Sequence, residues 1–489
     1  MQFRDPRKEG SKKEKESAFI MRKQTKIAVV ASAAALLAMG ASMTSFAAGW
    51  TMEDGVWVYL DKDGDRVYEE WKRSGSEVYW LDENGEMAIS QIVEDDNGKY
   101  YVDEQGRRVV NQWISMDNED DWGDGVDTVW FYFGSNGKAY EDAKKSIGGK
   151  TYIFDEGGYM FSGWHDYVNK NDGKTYTYYL GDENEGWAYT GWQLLEPSDD
   201  MVADTYEDEE WFNFKSSGTM RANGRAYLDG EYYEFNSDGV MVAGWVPPVA
   251  TDPNATYYSE SGAQGTGWVK AYAQSDIAED GDTAWYYLNS KGKPFNAGNT
   301  ATSATALKYT EGTPASKNTV GVAAKVIKKE TYLFDNTGKL LTGVYNLSNV
   351  NCTNASGTVE TLNGIYYFNK SGGSVQGQME TGKQTITYDG SDYYYSFNSD
   401  GTANVNKIVD GVLYGSNGVR ISADEGNAPY RLLAATSYKS GSTWVDIAAE
   451  KMVIVNASGK VKKTGSIKID GDTYKVENYV VTTINDVAQ

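Results

Sequence analysis

The chain is short of the residues that most reaction chemistry uses. Among 489 residues there are one histidine, His165, one cysteine, Cys352, and 8 prolines. A single cysteine excludes an internal disulfide framework, and a reactive thiol would need an electropositive setting. A Ser-His-Asp or Cys-His arrangement would have to use His165, which lies far from Cys352 in sequence. Paired carboxylates for glycoside hydrolysis stay open on composition, but no stretch outside the repeats described below is long enough for a separate catalytic domain. The chain is therefore expected not to be an enzyme and to need no cofactor. Basic charge is also scarce: residues 49–299 hold 19 Lys and Arg against 49 Asp and Glu. That balance repels phosphate, so no nucleic-acid partner is expected.

Long apolar runs are confined to the start of the chain. From Met21 it reads "MRKQTKIAVVASAAALLAMGASMTSFAAGW", with Arg22, Lys23 and Lys26 before a small-residue apolar stretch and Ser45-Phe46-Ala47 at a cleavage position. Residues 1–47 thus read as a secretory signal peptide with an N-terminal extension. The competing reading is an uncleaved anchor, although the apolar run is near the lower limit for a span. No membrane span is expected after signal removal. No lipid-attachment cysteine follows the signal, and "VVTTINDVAQ" carries no sorting tail, so surface attachment would be non-covalent.

What is abundant is aromatic residues and glycine: 37 Tyr, 15 Trp and 53 Gly. They recur in one pattern. It appears in "WVYLDKDG" (57–64), "VYWLDENG" (78–85), "KYYVDEQG" (99–106), "WFYFGSNG" (130–137), "TYIFDEGG" (151–158), "WFNFKSSG" (211–218) and "WYYLNSKG" (285–292). Four residues with alternating large side chains form a strand. Asp, Asn or Ser opens a turn and glycine closes it in a left-handed conformation. A second short strand follows and in several copies ends in Gly-Trp, so the hairpin is expected to fold across the Asx-to-Gly turn. A lone hairpin is marginal in water; stacking consecutive hairpins buries the aromatic face. The expected fold is all-β, a solenoid of stacked short β-hairpins.

Composition divides the chain further. Residues 48–298 form a Trp-rich acidic hairpin-repeat set, holding fourteen of the fifteen tryptophans. Residues 299–328, rich in Ala and Thr, read as a linker or irregular insertion. Residues 329–424 form a second hairpin set, and residues 300–489 as a whole are near neutral, with 18 Lys and Arg against 17 Asp and Glu. Residues 425–489 read as degenerate repeats or a cap. In the first set Trp113 precedes Trp130 by 17 residues, Trp268 precedes Trp285 by 17, and Trp192 precedes Trp211 by 19, the spacing stretched by acidic inserts such as 114–129 and 193–210. The alternating carboxylates of "DKDGD" (Asp61, Asp63, Asp65) do not match a calcium loop, and a plain turn is expected there.

With these residues on view, "GWTMEDGVWVYLDKDG" (49–64) resembles the cell-wall-binding or choline-binding repeat of Gram-positive surface proteins, whose turn glycine is often followed two residues on by methionine, as at Met87, Met160, Met220 and Met241. The second half is similar to the oligopeptide repeats of large clostridial toxins. The resemblance implies aromatic cages for choline between adjacent hairpins. Its Gly-Trp position falls on Trp50, Trp164, Trp192, Trp245 and Trp268, with Trp113 a close equivalent. Its strand position falls on Trp57, Trp130, Trp211 and Trp285, and its tyrosine on Tyr59, Tyr132 and Tyr287. Asn213 replaces that tyrosine in one copy, and Thr151 and Thr177 replace the strand tryptophan in two. Such faces attract a quaternary ammonium through their quadrupoles or stack on a sugar ring; they can also simply pack hairpin on hairpin. The partner implied is a cell-wall polymer, teichoic-acid choline or a glycan. A glycan-binding surface adhesin, or the targeting module of a wall-associated enzyme, is the alternative.

Overall fold

The computed structural model describes residues 48–118, 127–201, 208–247, 254–272, 283–296, 303–306, 318–354, 356–370, 376–388, 390–423 and 430–488. The expected signal peptide lies outside them, as do the centres of both acidic inserts. Among the described residues there is no helix, and strands pair almost entirely as short antiparallel hairpins. The all-β hairpin-repeat fold expected from the sequence is the fold observed. The chain divides into two compact units, Met1–Val242 and Ala243–Gln489.

The first unit is a run of separate two-stranded sheets. Gly49–Glu53 pairs with Val56–Leu60, and Glu70–Ser74 with Glu77–Leu81. The same arrangement continues to Gly224–Leu228 with Glu231–Phe235. The paired strands are not the ones the sequence pattern indicated. In the hairpins without inserts the turn is a two-residue link, and at Asp54–Gly55 (φ 50° and 90°) and Asp229–Gly230 (φ 51° and 94°) it is left-handed at both positions, as the twist of adjoining strands prefers. The Asx-to-Gly turn instead joins one hairpin to the next. Asp61 shows how: its carboxylate accepts the backbone N–H of Asp63 and Asp65 at 2.8 and 3.0 Å, while Gly64 N–H reaches Asp61 O at 3.2 Å. Those backbone donors hold the Asp61 carboxyl below its ordinary range, and "DKDGD" is a turn.

After that turn the chain makes one backbone hydrogen bond to the hairpin before. The residue two beyond the turn glycine donates its N–H to a strand carbonyl of the preceding hairpin. Met87 bonds Trp57 O at 2.7 Å, Met160 bonds Trp130 O at 2.9 Å and Ala188 bonds Thr151 O at 2.8 Å. Its side chain then lies beneath the turn glycine of the following hairpin. Gly218 (φ +83°) covers Ala188 so closely that a Cβ there would sit 2.6 Å from Ala188 Cβ. The core is distributed along these junctions, each with its own buried residues, such as Phe131 with Phe133, and Phe212 with Phe214.

The second unit begins with the same hairpins, Gly244–Val246 with Thr256–Tyr258 and Gly267–Tyr272 with Thr283–Leu288. It then broadens into a seven-stranded sheet. The stretch 299–328, read from composition as linker or irregular insertion, supplies strands Ser303–Ala306, Asn318–Val320 and Ala323–Ile327 to that sheet. Its alanines fit because Ala323 and Ala324 are buried against the core. Cys352 lies on the long strand Gly343–Thr353. It is a buried free thiol whose pKa burial pushes up to about 11, which excludes a reactive thiolate. The chain ends in a four-stranded meander, Gly465–Ile469, Asp472–Glu477, Val480–Ile484 and Val487–Ala488.

Crowding at the turn glycine is testable. Gly218→Ala would combine overpacking, about 1–3 kcal/mol, with a left-handed alanine, about 1–2 kcal/mol. Gly148→Ala, also at positive φ but with nothing within 4 Å of a Cβ, carries only the second penalty. Thermal unfolding followed by circular dichroism should show the larger loss for Gly218→Ala; equal losses would show that the glycine is not packed on Ala188.

Candidate functional site

Each Gly-Trp ring stands at a junction between hairpins. Across its own hairpin it faces the residue in register: Trp50 opposite Tyr59, Trp113 opposite Tyr132, Trp164 opposite Tyr179 and Trp268 opposite Tyr287. Towards the next hairpin it meets a buried ring. Trp50 lies 5.2 Å from Tyr79, Trp113 4.8 Å from Tyr152, Trp164 4.8 Å from Phe212, Trp192 4.7 Å from Tyr233 and Trp268 4.8 Å from Tyr332.

In four hairpins a second tryptophan stands two residues before the register partner, on the same face of the strand, and in three of them the two indoles pair. Trp113 and Trp130 are 6.5 Å apart at 80°, Trp192 and Trp211 6.4 Å at 76°, and Trp268 and Trp285 6.5 Å at 82°. The spacing between Trp192 and Trp211 is two residues longer than in the other two pairs, yet the ring geometry repeats. The reason is topological: the inserts lie at the hairpin tips, between strands whose register is fixed nearer the junction. Two of these pairs gain a tyrosine, Tyr132 at 5.1 Å from Trp113 and Tyr287 at 5.2 Å from Trp268. In the third, Asn213 stands opposite Trp192 and accepts from Arg221 Nε at 2.8 Å. All six tryptophans are half-buried. The indole N–H of Trp130 is buried without a hydrogen-bond partner, as is that of Trp50.

Two expected residues sit otherwise. Trp57 makes no ring pair among the described residues; its register partner is Met52, and its cage is reduced to Trp50, Tyr59 and Tyr79. Trp245 is 8% exposed. Its indole N–H donates to Tyr272 O at 3.1 Å, and its ring lies 5.0 Å from Tyr257 and 4.9 Å from Tyr286. Its hairpin carries Ala255 where other copies place a tryptophan, so the junction closes over the ring.

Three kinds of residue escaped the sequence pattern. One is the wall from the following hairpin, Tyr152 or Tyr332. Another is the floor: Met160 packs with Trp113, Trp130 and Tyr132, and Leu340 with Trp268, Trp285 and Tyr287. The last is a further cage, Trp71 with Trp80 at 5.1 Å and Tyr100 at 5.0 Å. Trp71 follows Glu70 and not glycine, which hid it. Its nine-residue offset from its cross-strand ring, the same as from Trp50 to Tyr59, was the available signal.

The electrostatics favour a cation. Burial first, then nearby carboxylates, push the cage phenols up: Glu77 acts on Tyr79, Glu330 on Tyr332, and Asp182, Glu185 and Glu196 on Tyr179. Tyr152 is pushed up to about 12. The phenols therefore stay neutral at physiological pH, and their faces stay electron-rich.

Residues 67–107 match the family described as the choline-binding repeat. The match covers this one segment of the chain. Among solved structures, similarity is found to the modular autolysin LytC from Streptococcus pneumoniae, at 20% identity over 60% of this chain and 52% of that one, with a TM-score of 0.34. Choline binding protein F from the same organism matches at 19% identity over 78% of this chain and 100% of that one, with a TM-score of 0.21. The choline-binding domain of its CbpL matches at 24% identity over 40% and 97%, with a TM-score of 0.19. The chain spans about half the length of the LytC chain. No curated protein sequence matches significantly. Among the described residues no helix is long and apolar enough to cross a membrane. The choline-binding repeat at 67–107 includes Trp71, Trp80 and Tyr100, so the matched segment contains a complete cage.

His165, beside Trp164, stacks on Phe161 at 3.8 Å. Burial lowers its pKa below the ordinary 6.5, opposed by Asp166, so it is neutral at pH 7. With the folded value below the unfolded one, the unfolded chain takes up the proton first as pH falls. Stability should therefore drop as pH falls below about 6.5 and level off under the folded value. Thermal midpoints of the native chain and His165→Gln, compared from pH 7.5 to 5, should converge or cross as the native chain loses this contribution; parallel curves would show that His165 is not buried as described.

Proposed function

We propose that the chain is a secreted, non-catalytic protein that attaches to cell-envelope polymers without a covalent bond, by holding quaternary ammonium groups such as choline in cages between hairpins. The carrying observation is the congruence of the Trp113–Trp130 and Trp268–Trp285 pairs, each with a tyrosine and an aliphatic floor, half-open to solvent. Three such faces attract a cation by about 0.5–2 kcal/mol each, depending on desolvation. Several weak cages on one chain bind a polymer that repeats the same group far more tightly than any cage alone. The acidic balance of 49–299 adds attraction that salt screens.

Glycan binding by a surface adhesin is the second reading. Tyr227 and Tyr232 favour it: they are 62% and 40% exposed, with rings 4.8 Å apart, on one hairpin face. That surface suits a sugar ring better than a compact cation.

The full chain should be retained on a choline-substituted resin and eluted by free choline. Trp130→Ala with Trp285→Ala removes the strand ring from two cages and leaves Trp113 and Trp268 in their junctions. Elution should then need less choline, each altered cage weakening by about twofold or more, in variants whose circular dichroism stays native. Retention on purified glycan, with no response to choline, would replace the first reading by the second.

A further inference from the structure

We propose that the cage formed by Trp71, Trp80 and Tyr100 is filled by a cation of the chain itself, the guanidinium of Arg108, and that the residue at this repeat position decides which junctions admit an outside ligand. The part concerning an outside ligand rests on the cage reading above; the occupancy by Arg108 does not.

Arg108 stands two residues beyond turn glycine Gly106, where other copies have Met87, Met160, Met220 and Met241. Its backbone keeps the common junction bond, with its N–H to Val78 O at 2.8 Å, as Met160 bonds Trp130 O at 2.9 Å. The side chain therefore enters its junction as Met160 enters the cluster of Trp113, Trp130 and Tyr132. A methionine ends there in an apolar thioether. Arg108 instead places its guanidinium carbon 5.4 Å from the Trp71 ring and 5.7 Å from the Tyr100 ring, both within the range of cation–π attraction.

Other contacts hold it there. A Cβ on Gly137 would lie 2.9 Å from Arg108 Cδ and Nε, so the next turn clamps the stem. The Nε is buried without a hydrogen-bond partner. Arg66 and Arg107 pair with Glu53 and Asp103; Arg108 forms no ion pair among the described residues, and the rings are its counterpart. Trp71 is itself fixed, its indole N–H donating to Asp95 Oδ2 at 2.9 Å.

The second unit repeats the device. Arg420 stands two residues beyond Gly418, bonds Tyr394 O at 2.8 Å, and holds its guanidinium carbon 3.9 Å from the Tyr394 ring. Gly459 covers its stem, a Cβ there falling 2.9 Å from Arg420 Cδ. Of the arginines at this position, Arg108 and Arg420 thus each reach back onto a ring of the preceding hairpin, one in each unit, while Arg66, two residues beyond Gly64 in the first described hairpin, pairs with Glu53.

The test uses the full chain, with tetramethylammonium chloride as the probe and sodium chloride as the control. Calorimetric titration compares native protein with Arg108→Met and Arg108→Ala, residues that fill this position in neighbouring junctions. Each variant should bind one more tetramethylammonium per chain than the native protein. An unchanged stoichiometry in variants with native circular dichroism overturns the proposal. If native protein binds none and the variants bind one, Arg108 is the resident cation and the cage reading of the other junctions fails. Should both variants misfold, the Arg108 Nε–H resonance of the native chain decides. A ring-shifted signal that tetramethylammonium leaves in place supports occupancy, and a random-coil shift or displacement by the probe overturns it.

Discussion

The structure depends on one recurrent joint. Hairpins of the first unit share no continuous ladder; each is a sheet of two strands. What crosses from one to the next is a backbone hydrogen bond, such as Met87 to Trp57 or Met220 to Thr177, and the rings packed around it. A two-stranded ribbon does not hold its shape alone in water, so the rings supply most of the cohesion through buried area. The Gly-Trp ring is consequently structural before it is anything else. Trp113 cannot leave Tyr152 and Phe154 without loosening the junction. The strand tryptophan also packs there but is replaceable: Thr151 and Thr177 take its place in hairpins that still form.

The same joint explains what could be read from the sequence. The hairpin-repeat architecture was legible because the joint imposes a period: aromatic strand, Asx, glycine. Which strands pair was not. The Asx-to-Gly turn is conspicuous in sequence, while the true hairpin turn is two residues long and tolerates Lys328–Lys329 at φ 50° and 76°, which no propensity suggests. The strand content of 299–328 was hidden because alanines packed in a wide sheet resemble a linker in composition.

The candidate site was half legible. Trp113, Trp130 and Tyr132 were named from one hairpin, because strand alternation puts them on one face. The closing wall and floor come from the next hairpins, and sequence offset does not say which ring meets which. Trp245 illustrates the reverse case. It carries the Gly-Trp signal, yet Ala255, two residues before its register partner Tyr257, is fully buried, and the small side chain lets the junction collapse. A motif fixes where a ring starts; its neighbours fix whether it ends in a cleft or a core.

The lack of a shared ladder also has a mechanical meaning. Under tension, a continuous sheet shears many hydrogen bonds together, whereas hairpins joined one bond at a time give way in turn. Asp61, Asp82 and Asp103 recur every 21 residues, so each yielding unit would release about 70 Å of extended chain. Pulled between two fixed points, the first unit would lengthen in steps and dissipate load before either end lets go.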